Sequence, residues 1–302
     1  MIKPSGIVGT PVTPFDEDNE VDVPTLERLV DFLIRTGVDF LGMTMHIGES
    51  LNLSIQERNR VVEVAVKTAA GRVPVLVNVS LPGTDHVVGL ARDSEARGAS
   101  GVIVITPYYW TPPREALLEH FMAVGNAVEV GLMTYNFPAK LGLEIPADLV
   151  VEMIDRLPNF VGVKDASFDM EYFTELCRVS CERRPGFAVM TGIEYLLPSM
   201  AVGGAGSFSA CGAVAPNLVR QLFNASANGE IETARGLQFR LSRLWNAIRV
   251  DYPAGIKAAM DIMGRPVGQA RRPIPPLSSQ GRARLRNELE ISGIVDTEPA
   301  GW

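Results

Sequence analysis

Cysteine is scarce in this chain. Only Cys177, Cys181 and Cys211 occur, an odd number and too few for a disulfide framework. They read as reduced, buried or half-buried thiols, and a cytoplasmic protein is the expectation. Histidine is equally sparse, at His46, His86 and His120. His46 and Glu49 form a His-x-x-Glu pair, but no further ligands stand at a supporting spacing, and His86 and His120 fall in helical segments. No metal site is expected. No dense basic cluster exists. Arg282, Arg284 and Arg286 come closest and read as a solvated helix face. With a formal net charge of -7, nucleic acid is not an expected partner. Long apolar runs are missing too. The stretch Leu196 to Ala215 is interrupted by Pro198 and several glycines. It reads as a buried loop and strand, so no membrane association is expected. No N-terminal segment has the charged start, apolar run and cleavage site of a signal peptide.

What is present suffices for a large core: 46% of the 302 residues are hydrophobic and 21% are charged. Short β-rich runs, each bounded by Gly, Pro or polar residues, predict strands at Gly6–Val12, Phe40–Thr44, Val73–Val79, Gly101–Ile105, Val130–Tyr135, Phe160–Lys164, Phe187–Met190 and Gly206–Ser209. Helical periodicity lies between them. Leu26, Leu29, Val30 and Leu33 share one face, as do Val61, Val62, Ala65 and Val66. Asp22 or Asp18 is a candidate cap of the first helix, with Pro24 in its first turn. Eight strand–helix units of roughly 30 residues predict an α/β fold, a (β/α)8 TIM barrel. The rival, a doubly wound open sheet, usually has fewer strands, and no Gly-x-Gly-x-x-Gly turn follows the first strand here. After Pro216 the strand signals stop, and helices are expected over Asn217–Asn228, Glu230–Val250, Ala254–Met263 and Ser279–Ile291, with Gly229 and Gly264 as stops. Arg271–Pro276 reads as extended, and disorder is expected only after Val295. The division is then a barrel over residues 1–215 and a helical extension packed on it over 216–302.

In such a barrel the chemistry sits at the C-terminal ends of the strands. Lysine is rare: Lys3, Lys67, Lys140, Lys164 and Lys257 complete the set. Lys3 is terminal, Lys67 lies on a helix and Lys257 falls in the extension. Lys140 and Lys164 follow adjacent strands. Lys164 ends the apolar run Phe160-Val161-Gly162-Val163, so partial desolvation would depress its pKa and free the amine as a nucleophile. A strand-end lysine that snorkels to water is an equal reading of the same pattern. Tyr135 ends the neighbouring strand, where its hydroxyl would shuttle protons beside that amine; a core-edge tyrosine with a solvated hydroxyl is the plainer alternative. Gly203-Gly204-Ala205-Gly206 reads as tight backbone packing at the entry to strand eight, in preference to a phosphate cradle, because these glycines precede that strand.

The order Gly48-Glu49-Ser50, Thr106-Pro107-Tyr108-Tyr109, Tyr135-Asn136-x-Pro138, Gly162-x-Lys164-x-Ala166-Ser167 and Gly203-x-x-Gly206-x-x-Ser209 resembles the dihydrodipicolinate synthase/N-acetylneuraminate lyase family. The resemblance runs from Gly6-x-x-x-Thr10-Pro11-x-Thr13-Pro14-Phe15 to Arg272-Pro273. It implies a (β/α)8 barrel with a C-terminal helical extension, a homotetramer, and class I lyase chemistry on pyruvate or a related 2-oxo acid without a cofactor. Lys164 matches the Schiff-base lysine and Tyr135 the proton-relaying tyrosine. Tyr109 matches the tyrosine that reaches a neighbouring subunit's site. Gly192 and Phe208 match pocket-lining positions. The turn after strand two matches the loop that holds the substrate carboxylate.

The departures from the family pattern are local. Its usual turn, Gly-Thr-Thr-Gly-Glu or Gly-Ser-Thr-Gly-Glu, is Met45-His46-Ile47-Gly48-Glu49 here. Both hydroxyls are gone, which leaves backbone donors at Ile47 and Gly48 for a carboxylate. His46 stands at the relay threonine's position and is a candidate proton carrier. Lys140 stands where the synthases keep an arginine for the second substrate, and it supplies charge without a bidentate fork. The expected substrates are a small 2-oxo acid and an aldehyde. Phe137, Lys140, Trp110 and Phe208 suggest a pocket for an acidic or partly aromatic acceptor. A 2-oxo-3-deoxy sugar-acid dehydratase working through the same imine, dihydrodipicolinate synthase itself, and a catalytically silent 2-oxo acid sensor are the alternatives.

Overall fold

A computed structural model describes residues 1–302. Eight parallel strands close into a barrel in sequence order: β1 (Gly6–Gly9), β2 (Phe40–Met43), β3 (Val75–Asn78), β4 (Gly101–Ile105), β5 (Gly131–Asn136), β6 (Phe160–Asp165), β7 (Ala188–Thr191) and β8 (Gly206–Ser209). Nearly every strand residue is buried, as expected of parallel strands covered by helices outside and by packed side chains inside. β1 is shorter than the sequence predicts. Pro11 and Pro14 have no N–H to give a ladder, so pairing stops soon after Thr10 donates to Ser209 O. β5 and β6 each run one residue further than expected, to Asn136 and Asp165.

The helices form for local reasons that the sequence carries. In the helix Val23–Arg35, the Asp22 carboxylate accepts from Thr25 N at 3.1 Å and Pro24 sits in the first turn, while Leu26, Leu29, Val30 and Leu33 are buried on one face. Ser54 and Glu57 form a reciprocal capping box on the helix Ile55–Ala69. Gly206, at φ 147°, shows why β8 opens on a glycine. A Cβ there would lie 1.9 Å from Gly6 O, so the backbones of β1 and β8 meet closely.

No strand follows Ser209, and the chain continues in helices Pro216–Ala227, Ile231–Ile248, Ala254–Ile262, Ser279–Ile291 and Ile294–Thr297. They share the barrel's core: one cluster of buried apolar side chains runs from Ile7 to Leu285, Leu289 and Ile294. Three expectations need correction. Leu196–Ala201 is a helix where a loop was expected, because Pro198 falls within its first turn, where no backbone N–H is required. Arg271–Pro276 is not extended throughout, since Ile274 N–H donates to Arg271 O and closes a turn. The residues after Val295 are ordered. Buried Arg265 donates to Gly301 O and Val214 O, and Trp302 packs edge-on against Phe32. No helix is long and apolar enough to cross a membrane.

Candidate active site

Parallel register brings the two central side chains together. Tyr135 on β5 pairs with Lys164 on β6. Residues in register on neighbouring strands point to the same face, and both side chains enter a cavity of about 340 Å³ at the C-terminal mouth of the barrel. The amine Nζ lies over the Tyr135 ring, 3.8 Å from its centroid, and 5.0 Å from that of Phe208. Burial drives the Lys164 amine down to about 7, against an upward pull from the Glu194 carboxylate. Burial, together with the Asp165 charge, holds the Tyr135 phenol well above its ordinary range, so it is protonated at neutral pH. Gly192 makes room for the lysine: a Cβ there would lie 2.7 Å from Lys164 Cε.

Opposite them, the turn after β2 folds as Met45 extended, His46–Gly48 in a 3₁₀ turn and Glu49 at φ 54°. Gly48 N–H donates to Met45 O and Glu49 N–H to His46 O, while neither the His46 nor the Ile47 N–H has an acceptor in the chain. Two adjacent N–H groups without an acceptor, on residues that line the cavity, are of the kind that holds an anion such as a carboxylate. The turn is fixed from behind. Thr13 Oγ1 donates to Gly48 O at 2.7 Å, Arg271 N–H donates to Glu49 Oε2 at 2.8 Å, and buried Lys257 Nζ meets Glu49 Oε1 at 2.8 Å. The His46 ring stacks on Tyr252 at 5.1 Å and meets Phe137 edge-on at 6.1 Å. The residue as a whole is nonetheless exposed. Desolvation between these rings, then the charges of Lys164 and Lys140, lower its imidazole to about 4, which leaves it neutral near pH 7.

Of the residues singled out from the sequence, Lys164, Tyr135, His46 and Ile47 line this cavity, and so do Lys140, Gly192, Phe137 and Phe208. Gly48, Tyr109 and Trp110 do not. The Gly48 N–H is spent inside its own turn. Tyr109 and Trp110, on the loop after β4, project into solvent at 91% and 66% exposure and pack on each other. Trp110 is therefore no wall of this chain's pocket. The His46-x-x-Glu49 pair is divided, since His46 faces the cavity while Glu49 is tied to Lys257 behind the turn.

Sequence reading missed several lining residues. Glu194 follows β7 and had a signal, its place after a strand end. It is fully enclosed, and its carboxylate accepts from Ser209 Oγ and from Ala210 N and Cys211 N at 2.8 and 2.9 Å. Burial raises its pKa, opposed by those donors. Trp245, Arg249 and Tyr252 come from the helical extension and had none, because only docking brings them over the barrel mouth.

The dihydrodipicolinate synthetase family's sequence model matches residues 3–292. A protein of Chlorobium phaeobacteroides named 4-hydroxy-tetrahydrodipicolinate synthase is 33% identical over 94% of this chain and 96% of its own length. One of the same name from Methanosarcina mazei is 31% identical over 94% and 97%. Among solved structures, YagE of Escherichia coli K12, a prophage protein of this family in complex with pyruvate, superposes with a TM-score of 0.93 at 30% identity, covering 96% of this chain and 99% of that one. The Aquifex aeolicus dihydrodipicolinate synthase gives 0.90 at 30% identity, covering 96% and 98%. A family motif set in order, a closed eight-stranded barrel and a buried lysine beside a tyrosine on adjacent strands agree with these likenesses over the whole length: the chain belongs to the dihydrodipicolinate synthetase family and is a class I, aldolase-type lyase.

Proposed function

We propose that Lys164 is the covalent nucleophile of a lyase that forms an imine with pyruvate or a close 2-oxo acid and makes or breaks a carbon–carbon bond to an aldehyde. The observation that carries this reading is the Lys164 amine itself, buried among ring faces, unpaired with any carboxylate and titrating near 7. Its free base attacks the ketone carbon of the 2-oxo acid, whose carboxylate rests on the His46 and Ile47 N–H groups. The carbinolamine loses its hydroxyl as water, with the proton supplied by the Tyr135 phenol. The protonated imine then accepts the electron pair of the breaking C3–C4 bond and becomes an enamine, while the C4 hydroxyl loses its proton and the aldehyde departs. Neutral His46 is the proton acceptor for that step. Protonation of the enamine carbon and hydrolysis release pyruvate, and the reverse sequence is aldol addition. Lys140 supplies charge at the pocket mouth for the second substrate.

Borohydride reduction in the presence of pyruvate, followed by peptide mass spectrometry, tests this. A reduced adduct on Lys164 is expected, forming faster as pH rises through about 7 because the free amine is the reactive form. Absence of any adduct with pyruvate and a set of 2-oxo acids would sink the reading. The reaction for which the relatives are named, 4-hydroxy-tetrahydrodipicolinate synthesis, is a second reading that their 33% and 31% identities favour. Direct assay of that product separates it from other aldol chemistry. Assembly as a homotetramer with Tyr109 near a subunit interface is also proposed, supported by that side chain's exposure. Sedimentation analysis tests it, with a monomer as the contrary outcome.

A further inference from the structure

The turn that carries the His46 and Ile47 N–H groups is bracketed by two residues in the left-handed region, Thr44 at φ 52° and Glu49 at φ 54°. Glu49 is fixed from the extension, by Lys257 and Arg271. Thr44 is fixed by the barrel itself. It follows β2 directly and is buried. A β-branched residue fits this backbone conformation poorly, because its Cβ crowds the carbonyl oxygen that follows, and glycine or asparagine is the usual occupant.

A reciprocal pair of hydrogen bonds holds it there. Thr44 Oγ1 donates to Asn78 O at 2.8 Å, and Asn78 Nδ2 donates back to Thr44 O at 2.8 Å. Asn78 ends β3. Its amide is oriented in turn, since its Oδ1 accepts from Ser80 Oγ, and that hydroxyl accepts at 2.8 Å from the N–H of Ile105, the last residue of β4. Ile105 pairs with Tyr135, and Tyr135 with Lys164. The clasp therefore joins the ends of β2, β3 and β4, beside the two strands that carry Tyr135 and Lys164. Asn78 and Ser80 are buried as well, and none of the three residues lines the cavity. Glycine in place of Thr44 would relax the backbone but would lack the hydroxyl that reaches β3, so the clasp accounts for a strained threonine at this position.

We infer that Thr44 and Asn78 are positioning residues for the carboxylate of the 2-oxo acid: their clasp sets the left-handed step from which the chain enters His46 and Ile47, and so fixes the two N–H groups that receive the anion. This rests on the Schiff-base reading above and on its assignment of the carboxylate to this turn. The expected consequence is selective. Loosening the clasp weakens the hold on a carboxylate, while the Lys164 amine, held by β6, keeps its reactivity.

The test is borohydride trapping on the full-length protein with two ketones, pyruvate and acetone, the second of which has no carboxylate. Thr44→Val keeps the side chain's shape and removes the hydroxyl. It should raise the half-saturating pyruvate concentration by about tenfold, the scale of one hydrogen bond to a charged group, and leave the maximal trapping rate and the trapping of acetone unchanged. Asn78→Ala should do the same. Thr44→Ser restores the hydroxyl and should return the pyruvate value to within about twofold of wild type. Ser80→Ala, one bond further back, should raise it by about threefold and carries the test where Thr44→Val does not fold. Equal losses on both ketones, a wild-type pyruvate value in Asn78→Ala and Ser80→Ala, or wild-type trapping that does not favour pyruvate over acetone overturns the inference, while trapped imine on Lys164 leaves the Schiff-base reading standing. Failure of the wild type to trap any 2-oxo acid overturns both.

Discussion

Lys164 and Lys257 are both buried, at 5% and 3% exposure, and burial lowers both amines, to about 7 and about 8. Their surroundings differ. Lys257 has a carboxylate at 2.8 Å and a backbone oxygen, Gln269 O, at 2.9 Å. Lys164 has ring faces, an open cavity and no ion pair. Burial alone therefore does not make a nucleophile. A buried lysine whose charge is matched becomes a fastener, here between the extension and the turn that presents the His46 and Ile47 N–H groups. A buried lysine left unmatched beside a cavity keeps a free lone pair and a place for an electrophile.

Substitution of each lysine should separate these roles. Lys164→Met is expected to abolish turnover, by roughly 10⁴-fold or more, while the protein melts higher below pH 7. The sign follows from linkage. The folded amine titrates near 7 and the unfolded one near the ordinary 10.5, so the unfolded chain binds more protons between those values and wild-type stability rises with pH across that window. Removing the amine removes a cost present in full below about 7, worth at most about 5 kcal/mol from the displacement of its titration. Thermal melts at pH 6 and pH 9 check it, and a variant that melts lower at pH 6 would contradict the account.

Lys257→Met leaves Glu49 buried without its countercharge. Loss of about 3–5 kcal/mol of stability is expected in denaturant titration, with a raised KM for pyruvate as the turn loosens. The pair Lys257→Met with Glu49→Gln should recover much of the stability. No recovery would mean the lysine acts by packing and not through its charge.

Smaller effects sharpen the contrast around Lys164. Tyr135→Phe should slow turnover by about 10²–10³ through loss of a proton donor. An unchanged rate would remove Tyr135 from the mechanism. His46→Ala should lower the rate by about tenfold without preventing imine trapping, as expected of a proton acceptor in the carbon–carbon bond step and not in imine formation. Loss of trapping in that variant would place His46 in imine formation instead.

The eight strands were legible in sequence because short apolar runs bounded by Gly and Pro recur at barrel spacing, and their observed limits shift by a few residues at most, as at β1, where prolines end the ladder early. The positions of Lys164 and Tyr135 were legible for the same reason: each stands at the C-terminal part of an apolar strand run, and the parallel register of β5 and β6 then sets them side by side. Gly206 and Gly192 answer to backbone and side-chain crowding that the sequence marks only as glycine.

What the sequence determined by itself is thus periodic or local: strand and helix positions, caps, and which residues stand at strand ends. Tertiary structure alone decided that Trp110 faces solvent, that the Gly48 N–H is consumed within its turn, and that Glu49 pairs with Lys257 more than 200 positions away. It also decided that Trp245, Arg249 and Tyr252 cover the barrel mouth. Those contacts depend on how the extension docks. Docking is set by the summed burial of a shared core, which no short-range pattern encodes.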